Sequence, residues 1–414
     1  MNQNDMLAHV AVIESHTAAL RAEILMLPDE PQAELEPDVP DDLEPPLEPP
    51  PPVLSLPALV REVTLTTEQT RDLERLFRCS TFMPGGTREA YNLDGLSKSG
   101  RLNDISRHLS LGGVAVIAAL RFTGRRHLLE QLYGISQNLR GTLALHFGFR
   151  GWVIHDPGEK THGQITPMES LMANAFIAQL AWTFRQNQGV DPKYKAHADF
   201  WEKYLLTDSV GYWNKRTGRT KPPFVEMDLA HPYAASIRLS HYLYKFTNNV
   251  IWRNERDRQV NVLMDELFLV GDRYVVGHFI NSLKTGRLSH AIQHAEYFGE
   301  FITSIADLGF EGVLSETVIT RFARTVNFMI DGKTPGLMKG ANGVAGTYFS
   351  PLLGKDWMMQ PMEHPRGSAY TMRARGYALM AFWDRTGEIK ALSKQVDNGV
   401  FCQPIVGLIG AGSR

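Results

Sequence analysis

The stretch DLAHPYAASIRLSHYLYKFTNN, residues 228–249, decides the fold that we expect for this chain. Its helical part opens on His231 and Pro232, and proline suits the first turn of a helix because its missing N–H group would have no partner there. The stretch ends on two asparagines, which tolerate the left-handed backbone of a helix end. We therefore predict one helix, with a histidine in its first turn and a turn 17 residues after that histidine.

The same layout recurs along the chain. Turn signals fall near positions 124, 189, 248, 309 and 387, and a repeat of about 60 residues is typical of stacked helical hairpins. The predicted fold is all-α, an (α/α)n toroid, which is an incomplete barrel of helical hairpins. If the hairpins ring one axis, the polar residues that lie 15 to 17 positions before each turn face one cleft. An alternative is that helix starts attract polar residues as caps. These polar residues are His108, Asn174, His231, His294 and Tyr370.

The chain divides into three parts by composition. Residues 1–27 carry apolar residues at alternating spacings of four and three, the seam of a coiled coil, and we expect this helix to self-associate or to dock on a larger assembly. Residues 28–57 are rich in proline and acid and predict an extended linker. Residues 58–414 remain for the toroid domain.

Composition excludes several classes of protein. A net charge of −2 argues against a nucleic-acid partner, and two cysteines argue against a disulfide scaffold. No apolar run is long enough to predict a membrane span. The first residues lack the features of a signal peptide, so we expect a protein that is cytoplasmic by default or associated with a virion.

His231 is the first candidate for chemistry. A histidine can accept a proton near neutral pH, and a helix N-terminus disfavours the cation, which keeps the side chain basic. It could equally be a capping or core histidine. Asn174 could donate a hydrogen bond to a carboxyl group, or it could be structural. His294 and Tyr297 lie one turn apart on one helix face, and either could donate a proton.

A second set of residues is expected to bind substrate. Aromatic rings pack on sugar faces and arginine pairs with carboxylates, so alternating aromatic and cationic residues favour an acidic sugar chain. Three candidates, Trp213, Asn214 and Arg216, lie in a segment, 207–227, that we predict to be a loop. Aromatic residues at loop bases often only pack. Tyr233 and Tyr370 also compete for the role of proton donor. The candidate binding residues are His108, Trp213, Asn214, Arg216, Tyr233, Arg366, Tyr370 and Arg373.

We expect neither a metal nor an organic cofactor. His290 and His294 form half of a zinc pattern, but HExxH is absent and no third ligand is suitably spaced. The chain contains no P-loop and no dinucleotide fingerprint in the required context.

The hairpin repeat, the His-Pro-Tyr at 231–233 and the Thr-Gly turns resemble the α/α-toroid polysaccharide lyases, which cut uronic-acid polymers such as alginate and glucuronan. The resemblance covers roughly residues 65–396. It implies β-elimination, in which Asn174 and an arginine neutralise the uronate carboxylate. His231 or a tyrosine would then remove the C5 proton, and Tyr297 would protonate the leaving oxygen. It also implies an acidic polysaccharide as partner and no cofactor.

Two other functions fit the same sequence. A glycoside hydrolase on this toroid would need two carboxylates across the cleft. A non-catalytic carbohydrate-binding head could be carried on a phage or virion assembly through residues 1–27, and a phage depolymerase would combine attachment with cleavage. The carboxylates near predicted helix starts are Asp104, Glu169, Asp228, Glu296 and Glu363.

Overall fold

The structure is a computed structural model that describes part of the compact unit Ser55–Arg414. Outside the described residues lie the predicted coiled-coil helix (1–27), the linker (28–57), His294, Arg366, Tyr370, Arg373 and the predicted last hairpin near 387. Tyr297 lies in a described helix, but its side chain does not belong to the described part. The described residues are 58–62, 64, 67, 93–223, 225, 227–270, 272–276, 279–280, 295–329, 347–350 and 355–358.

The described region is mostly helical with few strands. The α-helices are α1 (Leu93–Ser97), α2 (Ser110–Thr123), α3 (Arg126–Gly141), α4 (Pro167–Gln186), α5 (Pro192–Lys203), α6 (Val210–Thr217), α7 (Ala230–Thr247), α8 (Val250–Asp265), α9 (Ala295–Phe310) and α10 (Glu316–Met329). Short antiparallel hairpins pair β1 (Ala144–His146) with β2 (Phe149–Gly151), β3 (Leu267–Val270) with β4 (Arg273–Val276), and β5 (Thr347–Ser350) with β6 (Lys355–Met358). No described helix is long and apolar enough to cross a membrane.

Tight turns join the helices in pairs, α2 with α3, α4 with α5, α7 with α8 and α9 with α10. Gly124 and Asn248 have φ of 61° and 51°, which is left-handed geometry at two of the predicted turns. For Asn248, the asparagine itself predicts this geometry. The turn predicted at 309 is wrong by three residues, because α9 runs to Phe310 and Gly312 has the positive φ, 73°. There the N–H groups of Gly312 and Val313 bond back to the carbonyls of Gly309 and Leu308, a Schellman motif that needs a glycine followed by an apolar residue.

The first helices of three pairs run in the same direction. At its start, α7 places His231 beside Met168 in the first turn of α4 and beside Glu300 in α9. Further along, Arg238 of α7 bonds to Gln179 of α4 and to Asp307 of α9. Since early turns meet early turns and late turns meet late turns, the three helices are parallel.

Helix α2 joins the same layer. Arg107, just before α2, pairs with Glu169 in the first turn of α4, and Arg121 near its end pairs with Asp307. Gly113 allows the close approach of α2 to α4, because a Cβ there would lie 2.3 Å from the ring of Phe176. We call α2, α4, α7 and α9 the inner helices, and the second helix of each pair packs outside them.

Two π-helical turns interrupt otherwise continuous helices. Asp104–Leu109 leads into α2, and Tyr204–Ser209 connects α5 to α6. The second turn makes residues 192–217 one continuous helix, so the prediction that 207–217 belongs to a loop is wrong. Arg216 bonds to Tyr212 four residues earlier, which is a helical spacing. Both π turns pack against α4, and such turns often occur at functional sites.

Candidate functional site

His231 is the second residue of α7 and is buried among the inner helices. Its Nε2 lies 3.3 Å from Met168 Sδ and 3.7 Å from Glu300 Oε2. The His231 side chain has no exposed surface and that of Glu300 only 4%. A carboxylate at this distance favours the imidazolium, whereas burial of the ring disfavours it.

Glu300 was missed by the sequence reasoning, which chose Glu296 in the same helix. The signal was present, because Glu300 belongs to a polar stripe at helical spacing in an otherwise apolar helix. Acids on the buried face of a helix seldom occur without a partner. The buried members of this stripe are Glu300, Thr303, Ser304 and Asp307.

Glu169 marks the start of α4 at the same end of the inner helices. Arg107, on the first π turn, donates to its Oε1 at 3.0 Å, and Thr166 donates to its Oε2 at 2.5 Å. His108 follows Arg107 on the same π turn and is half-buried. The π turn therefore brings a cation, Arg107, to the first turn of α4.

Asn174 points to a different side of α4. Its Nδ2 donates to Ser170 Oγ at 3.1 Å, and the same oxygen accepts a hydrogen bond from Trp213 Nε1 at 3.0 Å. Within the described residues, Asn174 Oδ1 has no hydrogen-bond partner. Asn174 lines a small cavity with Trp213 and Arg150, towards α6, whereas His231 lies between α4 and α9. The structure does not bring these two residues together.

Three other candidates for substrate binding, Trp213, Asn214 and Arg216, lie on α6, outside the inner helices. Trp213 is buried, Asn214 is half-buried, and Arg216 is exposed beside the Tyr212 ring. Tyr233 points to α8, where its hydroxyl donates to the carbonyl of Gln259 at 3.3 Å, and burial raises its pKa. Tyr297 lies in the first turn of α9, three residues before Glu300.

The opposite end of the inner helices holds a buried charge cluster, which we call the inner cluster. Asp307 accepts hydrogen bonds from Arg121, Arg238, Gln179 and Tyr242 at 2.7–3.1 Å. Glu311 accepts from Arg121, Lys245 and His241. Burial alone would raise the pKa of Glu311, but these three neighbours outweigh it and lower the pKa far below its usual value. Because Asp307 and Glu311 both bind cations, we interpret the cluster as a structural link.

Comparisons with protein-family models, with curated proteins and with solved structures find no match to this chain. Any function must therefore be argued from the geometry. In the described ranges, no group of three or more His, Cys, Asp or Glu side chains is placed to hold a metal ion.

Proposed function

We propose that the chain is a polysaccharide lyase that cleaves a uronic-acid polymer, such as alginate or glucuronan, by β-elimination on an α/α toroid. The observation that carries the proposal is the buried pair of His231 and Glu300, held where the parallel inner helices begin. In this proposal residues 1–27 attach the enzyme to its own copies or to a larger assembly.

The direction of the inner helices favours an anionic substrate. Each helix carries partial positive charge at its N-terminus, and α4, α7 and α9 begin at the same end of the layer. Arg107 also lies at this end, where it pairs with Glu169. Carboxylates of a uronic-acid polymer would be attracted here, and neutralising a carboxylate makes the adjacent C5 proton easier to remove.

His231 acts as the base in this mechanism. It takes the proton from C5 of the uronate, and Glu300 orients the ring and stabilises the imidazolium that forms, as the carboxylate does in a Ser-His-Asp triad. The electrons of the C5–H bond form the C4–C5 double bond as the C4–O bond breaks. Tyr297 gives its proton to the leaving oxygen. No water, metal or redox partner enters the balance.

The proposal is tested by incubating the purified chain with alginate, glucuronan, hyaluronan and pectate. The expected result is a rise in the ultraviolet absorbance of an unsaturated uronate with one of these polymers. If no acidic polymer gives either the absorbance or new reducing ends, the result contradicts catalysis and favours a carbohydrate-binding head.

A glycoside hydrolase is the second candidate, and one observation favours it. Glu169 and Glu300 are both buried carboxylates, and they lie in early turns of parallel inner helices. Hydrolases need two carboxyl groups, one as acid and one as base or nucleophile. A hydrolase would produce new reducing ends without the absorbance of an unsaturated product, and Glu169→Gln would abolish that reaction.

A further inference from the structure

A polar cavity of about 470 Å³ lies against α7 on the side facing α8, apart from His231. Tyr233 follows His231 by two residues, so the two side chains project from α7 about 200° apart. A cavity of this size falls in the range of small-ligand sites. It is lined by Pro223, Val225, Met227, Asp228, Tyr233, Ser236, Arg258 and Gln259.

Gln259 is the residue that points to a ligand. It is only 3% exposed, and its Nε2 donates to Ser236 Oγ at 2.7 Å. Its Oε1 has no hydrogen-bond partner in the part of the chain that the structure describes. A buried amide oxygen without a donor is costly, and a ligand that carries an O–H group would satisfy it.

The remaining lining defines the chemistry of that ligand. Asp228 lines the cavity with acceptor atoms, and the Ser236 hydroxyl, which accepts from Gln259, still has a proton to donate. The Tyr233 hydroxyl donates its proton to the Gln259 carbonyl, so towards a ligand it acts as an acceptor. Pro223 and Val225 supply apolar wall, against which the C–H face of a sugar ring packs. A neutral sugar has both features, many hydroxyls and an apolar face. Arg258 also lines the cavity, but its guanidinium pairs with Glu255, so a carboxylate would meet the Asp228 charge and the Gln259 oxygen.

We propose that this cavity binds one neutral sugar unit and forms a second carbohydrate site, separate from the site at His231. The site assigns Tyr233 a role in sugar binding on the side of α7 that faces α8, away from His231. It does not depend on the lyase activity, because none of its residues takes part in the proposed elimination.

The test is saturation-transfer NMR on the full chain with glucose, mannose and galactose as probes. We expect transfer to at least one hexose, and affinity lower by roughly tenfold in Gln259→Met, which removes the amide oxygen but keeps the side-chain length. Tyr233→Phe should weaken binding in the same direction while retaining the packed ring. Gln137→Met makes the same chemical change on the exposed face of α3 and should bind as the parent does.

His231→Ala should also bind the hexose normally, so that a failure of the lyase proposal does not affect this result. Three outcomes would overturn the second site: no transfer to any hexose, binding unchanged in both Gln259→Met and Tyr233→Phe, or glucuronate binding as well as the neutral sugars.

Discussion

His197 and His231 are two buried histidines with different neighbours. His197 lies in α5 with Nδ1 2.7 Å from Ser136 Oγ, while Arg140 adds a nearby positive charge. Burial first and Arg140 second lower the pKa of His197 to about 4. His231 faces Glu300 instead, and a carboxylate favours the protonated ring. The two histidines thus differ in their neighbours, a hydroxyl and a cation for His197 and a carboxylate for His231.

The pKa of His197 predicts acid sensitivity. The unfolded chain binds a proton near pH 6.5 and the folded chain near pH 4, so unfolding takes up a proton between these values and stability falls as the pH falls. We expect His197 to remove on the order of 1 to 3 kcal/mol of the free energy of unfolding across this window. Urea unfolding at several pH values should show a flatter profile for His197→Asn. Equal slopes for the parent and the variant would contradict the assignment.

Glu300→Gln tests whether Glu300 positions His231. The amide keeps the shape but loses the charge, so we expect kcat to fall by about 100-fold or more with little change in KM. The pH profile should also move, because the base loses the carboxylate that favours its protonated form. Glu202→Gln is the control and should keep the parent's rate. Glu202 lies on the outer helix α5, where its carboxylate pairs with Arg185. A Glu300→Gln variant with the parent's kcat and pH profile would contradict the role.

Helix α7 and the helix 192–217 show what sequence patterns can and cannot predict. Helix α7 runs from Ala230 to Thr247, as Pro232 and the two asparagines indicated, because both signals act through local backbone geometry. The helix 192–217 was divided wrongly because the π turn Tyr204–Ser209 adds a residue to one turn and shifts the phase of the apolar positions. No residue type marks such a turn.

Gly124 and Gly134 provide a matched test of the hairpin turns. Gly124 has φ of 61°, and a Cβ there would lie 1.7 Å from the carbonyl oxygen of Arg61, so Gly124→Ala should lower the free energy of unfolding by more than about 1 kcal/mol. Gly134 lies inside α3 with no atom within 4 Å of an added Cβ, and Gly134→Ala should raise stability by about 0.5–1 kcal/mol. Urea unfolding measures both. Equal effects of the two substitutions would count against the turn geometry.

The four inner helices are linked at one end by the inner cluster and carry the candidate site at the other. The repeat in the sequence predicted the helical pairs, because period and turn signals are local. The cluster could not be predicted, since Arg121 and Asp307 meet across 186 residues of chain. The same reason explains why Asn174 and His231, similarly spaced before their turns, face different neighbours.

Asp307→Asn tests the inner cluster. The substitution removes a charge that two buried arginines share, Arg121 and Arg238, and we expect a loss of about 3–5 kcal/mol in the free energy of unfolding. Asp257→Asn removes an exposed carboxylate paired with Arg256 and should cost less than about 1 kcal/mol. Urea unfolding of both variants and the parent measures these changes in the free energy of unfolding. An Asp307→Asn variant as stable as the parent would show that the cluster does not hold the helices together.

The most direct measurement of the central claim is the initial rate of unsaturated uronate release by His231→Ala beside His127→Ala, on the polymer that the parent cleaves. Both histidines are the second residue of a helix, but His127 is exposed on the outer helix α3. We predict that His231→Ala remains folded by circular dichroism and loses the activity, whereas His127→Ala keeps the parent rate. A folded His231→Ala that cleaves at the parent rate would contradict catalysis at the start of the inner helices.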